Sequence, residues 1–186
     1  KWDELQTSLT ERKSQEKLPD RESLFELARI AFQQKPAKYD DLLRFCVFKV
    51  ILLTGLRLNE VLMLPVDCLR WEEHVDVITG LPADQVGGVS RTLSLKYFAL
   101  KQEEGKPDLL VEEHQWVPTR FQNILASAIE EVQAASAGLR RILKKQHDLG
   151  VGPNHSDLRH FKTSAGVDMT TADLLFLTPY GVSDLP

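Results

Sequence analysis

One helical stretch limits the folds open to this chain more than any other feature. Leu42, Leu43, Phe45, Cys46, Val47, Val50, Ile51, Leu52 and Leu53 spread over so wide an arc that the helix must be buried by the rest of the chain. It runs into Thr54-Gly55-Leu56-Arg57-Leu58-Asn59-Glu60-Val61-Leu62-Met63-Leu64. Gly55 can take the left-handed conformation that ends a helix cheaply. Val61, Leu62 and Leu64 then predict a second short helix, closed by Pro65. Arg57 is therefore expected at a helix junction anchored in core on both sides. Glu60, three residues on, can orient Arg57 or the neighbouring backbone.

Residues 1–18 are mostly polar with charges of alternating sign, and read as a linker or exposed helix. Asp20 is the candidate N-cap of the next helix, whose apolar stripe is Leu24, Phe25, Leu27, Ala28 and Ala31. Gln33-Gln34-Lys35-Pro36 stops it. From Val66 the period becomes alternating, with strands expected at Val75–Ile78, Leu93–Leu100 and Gln115–Val117. Thr119 can cap a long helix with a stripe of Ile124, Leu125, Ala128, Ile129 and Val132, which Gly138 can interrupt before Leu139, Ile142 and Leu143 resume it. Arg140, Arg141, Lys144 and Lys145 fall on one side of its last turns, where they suit either a DNA backbone or the negative end of the helix dipole.

The pattern T-G-L-R-x-x-E-x-L-x-L over Thr54–Leu64 resembles the first arginine box of the tyrosine recombinases, the phage integrase family. The resemblance extends to the entry at Lys17-Leu18-Pro19-Asp20 and to Pro65-Val66-Asp67-Cys68-Leu69. It implies an α+β, mainly α fold over 19–186: an integrase-like helical catalytic domain with a small three-stranded antiparallel sheet. It also implies that Arg57 grips the scissile phosphate of DNA while Glu60 braces the local fold. A lysine after the second strand would help protonate the leaving 5′ oxygen, and Lys101 is favoured over Lys106 for this. Arg140, Arg141, Lys144 and Lys145 are the further DNA-contact candidates.

The second box of the family has the form H-x-L-R-H. Leu158-Arg159-His160 fits it, but Ser156 occupies the first histidine's place and His155 comes one position early, a rotation of about 100° on a helix. Two readings stay open: Arg159 and His155 belong to that box, or Arg159 lies on an insertion and the box comes later. The resemblance implies a nucleophilic tyrosine on a helix roughly thirty residues past the second arginine, beyond Pro186; Tyr180 is too close, and Pro179 and Gly181 on either side disfavour a helix there. The resemblance implies strand cleavage through a 3′-phosphotyrosine without nucleotide or metal cofactor, and a homotetramer on DNA for the intact protein. The 186-residue chain alone is expected to be inactive.

A net charge of -4 argues against a chain whose whole surface binds nucleic acid, although a local basic face would suffice. This balance and the displaced histidine favour the rival reading, an integrase relic that keeps the fold as a DNA-binding or interaction module. No apolar run reaches membrane-span length, and the first residues do not resemble a signal peptide, so a cytoplasmic, DNA-associated location is expected. Cys46 and Cys68 read as small core residues in a reducing compartment. The five histidines are scattered, no phosphate-binding glycine loop or H-E-x-x-H is present, and no metal site is expected.

Overall fold

The structure, a computed structural model, describes residues 20–99, 109–150, 162–163 and 166–178. The described residues form two compact units, divided between Lys35 and Pro36. In the first, α1 spans Arg21–Gln33 and starts as its sequence predicts: Asp20 accepts from the Ser23 amide at 2.8 Å and from the Ser23 hydroxyl at 2.7 Å. Of its expected stripe, Ala31 is buried, whereas Leu24, Phe25 and Leu27 are exposed.

The second unit opens with α2, Tyr39–Thr54, and α3, Leu58–Leu62. Between them Gly55 adopts φ 73°, and its amide closes α2 on the Ile51 carbonyl at 2.8 Å. A chain of strands follows: β1 (Leu69–Glu73), β2 (Arg91–Ala99), β3 (Leu109–Val117) and, after the long helix α4 (Thr119–Asp148), the two-residue β4 (Lys162–Thr163). The sheet order is β1-β2-β3-β4, with antiparallel β1–β2 and β2–β3 pairs and a parallel β3–β4 pair. The fold is thus mixed α and β, with the helical layer expected from the sequence.

The expected sheet needs two corrections. It has four strands rather than three, and the fourth is parallel. The run Val75–Ile78 is not a strand: Asp76 accepts from the amides of Ile78 and Thr79 at 3.1 and 2.7 Å, so a side chain competes for the donors a ladder would need. The first strand lies instead at Leu69–Glu73, paired in register Leu69↔Leu95 and Trp71↔Leu93.

The sheet's inner face carries Leu69, Trp71, Leu93, Leu95 and Val117. These pack with Leu43, Cys46 and Val50 of α2, with Val61 of α3, and with Leu125, Ile129 and Val132 of α4. Each fully buried aliphatic side chain here contributes about 1.5–3 kcal/mol. Burial pushes the thiols of Cys46 and Cys68 up to about 12, which leaves them inert in this core. Gly138 does not interrupt α4, and Ile124 faces solvent. No described helix is long and apolar enough to cross a membrane.

A smaller cluster of Leu143, Ala172, Leu174 and Leu177 fixes the segment 171–177 against α4. That segment also bonds to the chain just after α3: the Leu175 amide donates to the Leu64 carbonyl at 2.7 Å and the Val66 amide to Asp173 at 2.8 Å. Tyr39 closes the arrangement by donating its hydroxyl to the Leu177 carbonyl at 2.8 Å. A Cβ at position 55 would meet no atom within 4 Å, so any cost there is backbone strain alone. Gly55→Ala is expected to lower unfolding free energy by about 1–2 kcal/mol in urea titrations, the ordinary penalty of a left-handed L-residue.

Candidate functional site

Arg57 sits at the N-cap position of α3 in extended backbone. The turn before it is closed locally: the Thr54 hydroxyl donates to the Val50 carbonyl at 2.6 Å and accepts the Leu56 amide at 3.3 Å, and Leu56 is buried. The turn after it is held by Glu60, whose carboxylate accepts the Arg57 amide at 2.9 Å. The other carboxylate oxygen lies 3.5 Å from the Arg57 guanidinium. The Glu60 side chain is 8% exposed and that of Arg57 is 59% exposed. A buried carboxylate therefore fixes the backbone while most of the guanidinium faces outward.

Tyr97 of β2 shares this surroundings. Burial and the carboxylates of Glu60 and Glu113 push its hydroxyl pKa up, with Arg57 opposing them, so it remains a protonated donor at neutral pH. In the sequence Tyr97 is one position of the expected strand Leu93–Leu100, with nothing in its spacing to link it to Arg57. The described part of the site can thus offer an outward-facing guanidinium, a group that suits an anion with several acceptor oxygens.

Lys96 points to the opposite face of the sheet and carries a feature the sequence reading missed. Its side chain is 8% exposed, and its ammonium contacts Asp67 at 2.8 Å. Burial raises the Asp67 pKa, but the Lys96 ammonium and the Arg70 guanidinium outweigh it and hold the carboxyl below its ordinary value. The available signal was a lysine inside the strongly apolar run Leu93–Leu100, with an aspartate just after Pro65 to meet it.

The four cations expected on one face of α4 divide. Arg141, Lys144 and Lys145 are exposed. Arg140 turns inward: its guanidinium donates to the carbonyls of Ala172 and, at 2.6 Å, Leu174, and to the Ser136 hydroxyl at 3.0 Å. Burial lowers its pKa, against the pull of Tyr39 and Asp173. These bonds give Arg140 a structural task, as the clasp that holds the 171–174 segment to α4. Lys101, Lys106, His155, Arg159 and Tyr180 lie outside the described residues. Among the described residues, no three His, Cys, Asp or Glu side chains come together to hold a metal. Compared with family models, with curated proteins and with solved structures, the chain matches none.

Two measurements follow from these pairs. Arg140→Met is expected to lose about 1.5–3 kcal/mol of unfolding free energy by orphaning three acceptors, whereas Arg141→Ala stays within roughly 0.5 kcal/mol. Asp67→Asn is expected to cost about 1–2 kcal/mol at neutral pH, a range reduced for the exposure of Asp67. The folded-state pKa of Asp67 lies below its ordinary 3.8, so the pair's contribution is full above that pH and is lost as pH falls through the folded value. Thermal melts of the two proteins should converge in that acidic window and separate above it.

Proposed function

We propose that the chain belongs to the catalytic part of a tyrosine-recombinase-like protein, a site-specific DNA recombinase in which Arg57 grips the scissile phosphate. The mount of Arg57 carries this reading: a guanidinium on a backbone fixed by a left-handed glycine and a buried carboxylate, with its fork left open. Cleavage of a phosphodiester by a tyrosine hydroxyl develops negative charge on the nonbridging oxygens. A positioned guanidinium meets that charge with two parallel hydrogen bonds and no reorganisation. A lysine could supply charge there but not the bidentate geometry.

In this reading Glu60 is a positioning residue and the partner is DNA, engaged by a homotetramer in the intact protein. The leaving-group lysine would come from the sequence after β2, with Lys101 the first candidate and Lys106 the second. No nucleotide or metal enters the reaction. The relic reading shares the DNA contact and differs in lacking strand cleavage.

Fluorescence anisotropy with duplex DNA tests the contact. Arg57→Ala is expected to weaken binding about five- to twentyfold and to lower the salt slope by about one, because one phosphate contact disappears. Its melting should stay within about 1 kcal/mol of the parent, since Glu60 keeps the Arg57 amide. In the intact protein the same substitution is expected to abolish the covalent DNA adduct. Unchanged binding by Arg57→Ala would overturn the proposal, and binding without any adduct from the intact parent would favour the relic.

A further inference from the structure

The excursion between β1 and β2 exposes aliphatic side chains that the fold holds firmly outward. Val77 and Ile78 are 97% and 94% exposed, and Val75, Leu81, Val86 and Val89 are exposed around them. The turn beneath is locked. Asp76 accepts the Ile78 and Thr79 amides and, at 2.8 Å, the Thr79 hydroxyl, while its backbone bonds to Gly80 and Leu81 at 2.8 Å each. A loop so fixed loses little conformational entropy on docking.

Its rim is acidic. Glu72, Glu73, Asp76 and Asp84 fall within 71–91, where the single Lys or Arg is Arg91, stacked 4.2 Å over the Trp71 ring. The opposite pattern stands at the end of α4. There Ile142 and Leu149 are exposed beside Arg141, Lys144 and Lys145, with Asp148 the one acid from Leu139 to Leu149 against these three cations. The two surfaces cannot meet within one chain. The register Glu73↔Arg91 and Leu93↔Val117 puts the loop at the end of the sheet where α4 begins, and α4 carries its cations roughly 30 Å away.

We infer that the 74–90 loop docks on the C-terminal part of α4 of a second copy of this chain, apolar tip against Ile142 and Leu149, acidic rim against the cations. Each copy offers one loop and one helix end, so the contacts close either as a reciprocal two-fold pair or as a larger ring. It stands independently of the recombinase reading, and it gives the α4 cations a protein partner.

Sedimentation velocity over a concentration series tests it with two variants whose folding is checked by circular dichroism. The parent should form dimers or larger closed species at low salt and revert to monomer at high salt. Val77→Asp/Ile78→Asp and Lys144→Glu/Lys145→Glu should each lose all species above monomer. Mixed in equal amounts, they should form a dimer that grows no further, because one retains the helix end and the other the loop. A monomeric parent at every concentration would overturn the inference, as would a mixture that stays monomeric. DNA binding without self-association would assign the cations to phosphate and overturn it as well.

Discussion

The bond from the Arg57 amide to the buried Glu60 carboxylate is the interaction on which the candidate site depends. Glu60 is largely buried, so its carboxylate oxygens need partners inside the protein. One oxygen is met at 2.9 Å by a backbone donor that cannot leave, and the other has the guanidinium at a long 3.5 Å. The two oxygens therefore separate two tasks. The amide bond keeps the helix start in place, and the weaker side-chain contact lets the guanidinium turn to another anion at small cost.

The supports of this junction come from three directions. Gly55 reverses the chain after α2, Val61 and Leu64 enter the core, and the 171–177 segment bonds to the backbone immediately after α3. Arg140 secures that segment from α4. A charged residue here spends its hydrogen bonds on carbonyls, the partners a helix end and an irregular segment leave unsatisfied. The basic row on α4 is thus shorter than its sequence suggests, and its exposed remainder consists of Arg141, Lys144 and Lys145.

Much of the helical frame was legible in the sequence, because the signals are local. Asp20 caps α1 through a residue three positions away, Gly55 ends α2 by its own backbone, and Glu60 reaches the Arg57 amide within one turn. The errors arose where a distant or competing partner decides. Val75–Ile78 alternates like a strand, but the Asp76 side chain captures the amides. Gly138 could break a helix at about 1 kcal/mol, yet burial of Leu143 beyond it outweighs that cost. Lys96 and Asp67 meet only after the sheet has formed. The two carbonyl partners of Arg140 lie thirty-two and thirty-four residues ahead, at a range where sequence periodicity carries no information.

The pairing of Leu64 with Leu175 has a consequence for the order of events during folding. α2, Gly55 and α3 can form from neighbouring residues in microseconds, but the strand-like bonds that complete their junction wait for a segment roughly a hundred positions later. On the ribosome, the arginine mount would emerge early and stay half-supported until that segment arrives. Substitutions at Leu174, Leu175 or Leu177 would then act on the unfolding rate more than on the first collapse, and the site's rigidity would be the last property the domain acquires.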